Sequence, residues 1–200
     1  MKKIKVAITG NIGSGKTSFC KLLEDMGLKV IYADDIAKDL MLNDMKIKSE
    51  IIKNFGNNAY DNQGLNKNYL ANKVFSSSEN TIKMNSIVHP AVIKKVQKLM
   101  EEYLKKTDII FHEAALIYEA YMDKYFDFIV LISADVKIRM ERKQVQSGFS
   151  EEMFMQRELN QIPEEEKKKH ADFIFTNNGS LIQLKNKSEL LMKILTGMLS

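Results

Sequence analysis

Residues 4–17 read Ile-Lys-Val-Ala-Ile-Thr-Gly-Asn-Ile-Gly-Ser-Gly-Lys-Thr, an apolar run that ends in G-x-x-x-x-G-K-T. Ile4, Val6, Ala7 and Ile8 predict a buried strand over Ile4–Thr9, and the stretch over 15–26 predicts the helix that covers it, ended by Gly27. The turn between them points several backbone N–H groups into one concavity, and the helix adds the positive end of its dipole. Gly10, Gly13 and Gly15 let the main chain approach phosphate oxygens with no Cβ in the way. Lys16 is placed to reach the β- and γ-phosphates of a nucleoside triphosphate, and the Thr17 hydroxyl to ligate Mg²⁺. Candidate nucleotide contacts are therefore Asn11, Gly13, Ser14, Gly15, Lys16, Thr17 and Ser18. The four fixed positions arise by chance in roughly one chain of this length in a hundred, so the motif is read as a triphosphate cradle.

Two hundred residues, 44% of them hydrophobic and 28% charged, suffice for one α/β domain with inserted helices and argue against disorder. The 30 basic and 26 acidic residues leave a net charge of +4, spread along the chain rather than gathered in a block. That balance suits anionic small molecules. No basic stripe with interleaved aromatics points to nucleic acid. Cys20 is the only cysteine, so no internal disulfide forms, and it reads as a small core residue. No apolar stretch approaches the roughly twenty residues that cross a bilayer. Met1–Lys5 runs directly into the first strand, which leaves no room for a signal peptide, and the expected location is cytoplasmic.

Further strands are predicted at Lys29–Tyr32, Asp108–Phe111, Phe128–Ser133 and Phe173–Phe175, with a closing helix over Leu181–Met198. From Ile36 to about Glu102 the pattern is helical, broken at Gly56, Gly64, Ser76–Ser78 and Pro90, and Pro90 is expected to open a helix. Residues 135–169 are polar and helical. Strands alternating with helices imply a parallel sheet with both faces covered. The expected organisation is a single domain. Its core spans 1–35, 106–139 and 169–200, with a helical acceptor-substrate region near 36–105 and a lid near 140–168.

A phosphate cradle does not specify a reaction. A guanine-nucleotide switch needs Asn-Lys-x-Asp at a strand end, whereas Asn186-Lys187-Ser188-Glu189 ends in Glu and lies in the closing helix pattern. Asp61–Gly64 fits D-x-x-G without a strand before it and reads as a turn. No apolar run ends in Asp-Glu, as a mechanical ATPase requires. A small-molecule kinase remains, with nucleoside or nucleotide kinases and a nucleotide-binding switch as the alternatives.

Ordered segments along nearly the whole chain resemble the dephospho-CoA kinase family. Ile8–Gly10 through Lys16-Thr17 is similar to its opening, and Val30–Asp34 with Ile36-Ala37 to its D-A-D-x-I-A segment. Asn66–Phe75, Val88-His89-Pro90 and Glu113–Glu119 (similar to P-L-L-F-E) follow in order. Arg142, Arg157, Gln161 and Lys167 fall where the family places lid residues, and Ala171–Ile174 with Asn178-Gly179 resembles its closing motif. The resemblance implies a P-loop nucleoside-kinase-like fold: a five-stranded parallel sheet, helices on both faces, and a helical lid. It also implies transfer of the ATP γ-phosphate to the ribose 3′-hydroxyl of dephospho-CoA, with Mg²⁺, in a monomer or small homo-oligomer that engages neither membrane nor nucleic acid.

By that resemblance Asp34 is the base for the ribose hydroxyl, with a helix cap as its plainer role and Asp35 available to fill it. Lys16 and Arg142 act on the transferring phosphate, Arg157 is a second lid cation, and Asn177–Gly179 forms the turn near the adenine, with Asn178 a nucleotide contact. His89 and Glu113 are candidate substrate contacts, although His89 before Pro90 also suits a helix start. Three positions depart from the family pattern. Tyr32 replaces an Asp, so metal binding leans on Thr17. Ala115 replaces a Pro, which loosens the turn after the third strand. Gln146 replaces a lid arginine, with Arg139 one turn before Arg142 placed to compensate. Glu164–Lys169 is expected to form a water-facing helix with internal ion pairs.

Overall fold

The computed structural model describes residues 3–199. β1 (Ile4–Thr9) leads through the glycine-rich turn into α1 (Lys16–Asp25) and β2 (Val30–Tyr32). There follow α2 (Ala33–Asn43), α3 (Met45–Phe55), the short strands β3 (Tyr60–Asp61) and β4 (Gly64–Leu65), α4 (Lys67–Val74) and α5 (Ser78–Tyr103). β5 (Ile109–Glu113) and β6 (Phe128–Ser133) come next, then α6 (Val136–Ser147), α7 (Glu151–Leu159) and α8 (Glu164–His170). β7 (Phe173–Thr176) and α9 (Leu181–Gly197) complete the order. The chain divides into two compact units: Ala33–Lys98, and the residues before and after it.

In the larger unit five parallel strands lie in the order β2-β5-β1-β6-β7. Parallel neighbours that are distant in sequence need crossovers, which the helices supply. Ile4, Val6 and Ile8 share one sheet face with Ile109, Phe111, Val130 and Ile132, packed on Phe19, Cys20 and Leu23 of α1 and Leu184, Leu191 and Leu195 of α9. Ala7, Ile110, His112 and Leu131 alternate with them and are buried too, so both faces are covered. Cys20 is a core residue; burial, with Glu113 nearby, pushes its thiol well up, which makes it unreactive. Glu113 pairs in register with Ile8 on one side and Tyr32 on the other. The carboxyl ends of β2, β5 and β1 are therefore level, which forms the crevice edge where open α/β sheets bind ligands.

In the smaller unit Asp44 caps α3 through the N–H groups of Lys46 and Ile47, and Asn66 caps α4 through that of Tyr69. Asp61–Gly64 is a turn as expected, here closing an antiparallel hairpin with Tyr60 opposite Leu65. Pro90 behaves differently from the sequence reading. It lies inside α5 rather than at a helix start. Met84, Val88, Val92, Val96 and Met100 form a buried stripe at four-residue spacing that continues past it. Pro90 itself is exposed, where water can take the orphaned carbonyl, so burial of the stripe outweighs the proline penalty of about 3 kcal/mol.

His112 sits inside the sheet with Nδ1 3.0 Å from the Ile31 carbonyl, its ring stacked 5.5 Å from Phe126, and Nε2 without a partner. Burial lowers its pKa from 6.5 to about 4, against a smaller opposing effect of the Ile31 carbonyl. The unfolded chain therefore takes up a proton that the folded one refuses, and stability falls as pH drops below 6.5. The loss at pH 5 is about 2 kcal/mol. Urea denaturation of His112→Val is expected to show a loss between pH 7 and pH 5 smaller than the parent's by about that amount. Identical pH profiles would place the titration elsewhere.

Candidate functional site

The turn between β1 and α1 takes its shape from backbone that only glycine adopts easily. Gly13 has φ 78° and Gly15 φ 95°, and left-handed residues of this kind turn successive N–H groups toward one anion. A Cβ on Gly13 would run into the backbone carbonyl of Arg139, and one on Gly15 into the carboxamide of Asn177. Helix α1 opens at Gly15 with no side-chain cap and no acidic residue in its first turn. By contrast α3, α4, α7 and α9 are capped by Asp44, Asn66, Ser150 and Ser180. The amide donors and positive dipole end of α1 are thus left for an anion. Asn11 Oδ1 and Ser14 Oγ are buried without a hydrogen-bond partner, polar atoms that a phosphate ligand and its water can satisfy. Lys16 is buried, and the Thr17 and Ser18 side chains are exposed beside it.

Side chains from elsewhere in the larger unit hold this loop on two sides. Asn177 Nδ2 donates to the Ser14 carbonyl at 2.8 Å, and Arg142 donates to the Asn177 carbonyl at 2.8 Å and to Ser14 at 3.4 Å. Burial lowers the Arg142 pKa, and a guanidinium, which stays protonated in proteins, keeps its charge beside the loop. On the other side Gln161 Oε1 accepts from the Ile12 N–H at 2.8 Å, and Arg139 donates to the Ile12 carbonyl at 3.1 Å. Arg139 is only 1% exposed and grips both oxygens of Glu158 at 2.6 and 2.7 Å. It is therefore not a spare lid cation standing in for Gln146, which lies exposed on α6: its donors are committed inside the protein. Burial pushes the Glu158 carboxyl up, but the Arg139 and Asn11 hydrogen bonds prevail and hold it below the usual carboxylate range.

The helix over residues 164–169 faces water only in part. Lys168 and Lys169 pair with Glu165 and Glu166, both at 2.7 Å. Lys167 instead is fully buried, 2.9 Å from Glu119 and donating to the Ala115 carbonyl at 3.1 Å. A helix packed on a sheet strand must bury one face, and an ammonium there needs these partners. The same Ala115 carbonyl accepts from Thr9 Oγ1 at 3.4 Å, so the turn expected to be loose is fastened. Tyr32 donates to Glu24 on α1 at 2.9 Å, and burial followed by that bond raises its pKa.

The larger unit brings together the loop, Arg142 and Asn177, with Glu113 at the end of β5. Arg157 is half-buried, its guanidinium 4.9 Å from the Phe149 ring. Asn178 accepts from the Asp135 N–H at 2.9 Å, and its neighbour Asn177 is the one that reaches the loop. In the smaller unit α2 begins at Ala33, so Asp34 and Asp35 lie within its first turn, both exposed; Asp35 is not a cap ahead of Ile36. His89 is half-buried in the middle of α5, so it does not shape a helix start. Asn186–Glu189 lies within α9 rather than in a loop directly after a strand. The sequence reading placed Asn177 in the turn at 177–179 but missed its bond to the loop, and it missed Glu158 and the inward role of Arg139. Asn177 stood at a strand end, a legible signal, whereas Arg139 and Glu158 sit in helices indistinguishable in composition from solvated ones.

A sequence profile of the family described as dephospho-CoA kinase matches residues 4–183. A dephospho-CoA kinase of Salinibacter ruber is 34% identical over 96% of this chain and 98% of that protein. The crystal structure of TT1252 from Thermus thermophilus superposes with a TM-score of 0.79 at 32% identity, covering 98% of this chain and 99% of the other. A dephospho-CoA kinase from Campylobacter jejuni superposes at 0.72 with 23% identity, over 98% of each chain, and speaks for the fold.

Asn177→Ala removes the side-chain donor from the Ser14 carbonyl and keeps the backbone carbonyl that Arg142 uses. It is expected to weaken ATP binding about tenfold in a calorimetric titration, with the melting temperature little changed. An unchanged dissociation constant would show that the loop keeps its shape without Asn177.

Proposed function

We propose a residue-level mechanism from one premise: the chain belongs to the dephospho-CoA kinase family. Its reaction is transfer of the ATP γ-phosphate to the ribose 3′-hydroxyl of dephospho-CoA, which completes coenzyme A. The observation that carries this reading is the family match over residues 4–183 around an uncapped, glycine-shaped anion cradle.

In the proposed mechanism the loop amides and Lys16 hold the β- and γ-phosphates, and Arg142 adds positive charge beside Ser14. Asp34 accepts the proton as the ribose oxygen forms its bond to the γ-phosphorus. The bond from that phosphorus to the β–γ bridging oxygen breaks, and its electron pair leaves with ADP. The donor set fits Mg²⁺, an ion that keeps water and phosphate oxygens as most of its ligands and needs few from the protein. Thr17 would supply the hydroxyl, and among the described residues no group of three or more His, Cys, Asp or Glu side chains could hold a metal. Bound there, Mg²⁺ would neutralise charge on the β- and γ-phosphates. Glu113, level with Ile8 and Tyr32, is assigned to a metal-bound water or a substrate hydroxyl. His89 is assigned to the acceptor, and Arg157 and Asn178 to the nucleotide.

Residues 36–105 are assigned to acceptor binding and 140–168 to a lid. One chain carries every residue that this reading uses, which supports a monomer or small homo-oligomer. No helix among the described residues is long and apolar enough to cross a membrane. The lone thiol of Cys20 fits work in the reducing cytoplasm.

Asp34→Asn is expected to lower kcat with dephospho-CoA at least 100-fold, the usual weight of a general base, while the ATP dissociation constant stays within twofold. Asp35→Asn is expected to keep kcat within about threefold. The reverse order of damage would remove Asp34 from the reaction. Turnover of nucleoside monophosphates in preference to dephospho-CoA would overturn the acceptor itself.

A further inference from the structure

Ile12, near the start of the loop, has both of its backbone groups bound by side chains from the helical stretch after β6. Its N–H donates to Gln161 and its carbonyl accepts from Arg139. Its neighbour Asn11, fully buried, donates through Nδ2 to Glu158 at 3.2 Å and to the Ile162 carbonyl at 3.4 Å. Arg139 and Glu158 join these contacts into one unit. The guanidinium takes both carboxylate oxygens, the Ile12 carbonyl and, through Nε, the Ala134 carbonyl at 2.9 Å. The Phe154 ring of α7 lies 5.8 Å from the guanidinium. The backbone of Arg139 is also the wall that denies Gly13 a Cβ.

We propose that Arg139 and Glu158 form a positioning pair that sets the Asn11–Gly13 limb of the loop from α6 and α7, so the grip on ATP depends on where α7 stands. Neither residue needs to touch ATP for this. A buried ion pair is a weak source of stability, because apolar residues of similar volume often serve as well. Its fork geometry, by contrast, orients three groups through four acceptor oxygens at once, which apolar packing cannot do. Displacing reacting groups by about 1 Å is enough to cost a hundredfold in rate, so a loop held this way has a catalytic consequence. The pair also fastens α7 to the loop.

The proposal rests on the reading that this loop binds ATP, and the test separates the two. The parent protein is assayed first: ATP binding by calorimetry, then phosphate transfer to dephospho-CoA. Failure there overturns the reading rather than the pair. The double variant Arg139→Met with Glu158→Leu is then compared with the parent. It is expected to melt within a few degrees of the parent, yet to bind ATP about tenfold more weakly. Its KM for ATP should rise in parallel, and its KM for dephospho-CoA should stay within twofold. An ATP dissociation constant within twofold of the parent's would overturn the proposal and leave the pair a packing element. Should the double variant not fold, Arg139→Lys carries the same test. Lysine keeps a charge beside Glu158 but cannot also reach the Ile12 and Ala134 carbonyls, and ATP binding is expected to weaken about fivefold. An unchanged constant in that folded variant would equally overturn the pair's role.

Discussion

The site depends on one steric constraint: the backbone between β1 and α1 runs so close to Arg139 on one side and Asn177 on the other that a single methyl group fits at neither Gly13 nor Gly15. Left-handed backbone at both positions aims amides inward, and contact with neighbouring elements keeps it from relaxing outward. An anion cradle built this way is preorganised, so its donors need little reordering when a triphosphate arrives. The sheet supplies the rest of the setting. Five parallel strands, the central ones buried on both faces, form the floor, and the carboxyl ends of β5 and β2 bring Glu113 and Tyr32 level with the end of β1.

The charged residues after β6 divide into two kinds that composition does not distinguish. Lys168 and Lys169 pair within their own helix, where exposed pairs contribute little. Arg139 and Lys167 are buried, and each ties the stretch to the catalytic floor, one through Glu158 to the loop and the other through Glu119 to the turn after β5. The expected lid is therefore pinned at two buried points.

The central strands were legible because a strand buried on both faces reads as a near-continuous apolar run, as in Phe128–Ile132 and Val6–Ile8. The loop was legible because the phosphate chemistry demands Gly, Lys and Thr at fixed spacing. Pro90 misled because local propensity, which opposes a continuous helix there, was outweighed by a tertiary stripe spaced over Met84 to Met100. Arg139 and Lys167 misled for a related reason. Burial of a cation is decided by partners far away in sequence, Glu119 for Lys167 and the Ile12 carbonyl for Arg139, and helix periodicity carries no record of them. Asn177 was within reach of sequence reasoning. It directly follows a strand at the crevice edge, and its buried carboxamide meets the loop.

A crystal structure of the protein with a non-hydrolysable ATP analogue and dephospho-CoA tests the central claim most directly. The expected density places the β- and γ-phosphates in the Gly10–Thr17 loop with the backbone at Gly13 and Gly15 unchanged. The ribose 3′-hydroxyl should lie within about 3 Å of an Asp34 carboxylate oxygen and in line with the γ-phosphorus. A triphosphate seated outside the loop, or an acceptor hydroxyl out of reach of Asp34, would contradict it.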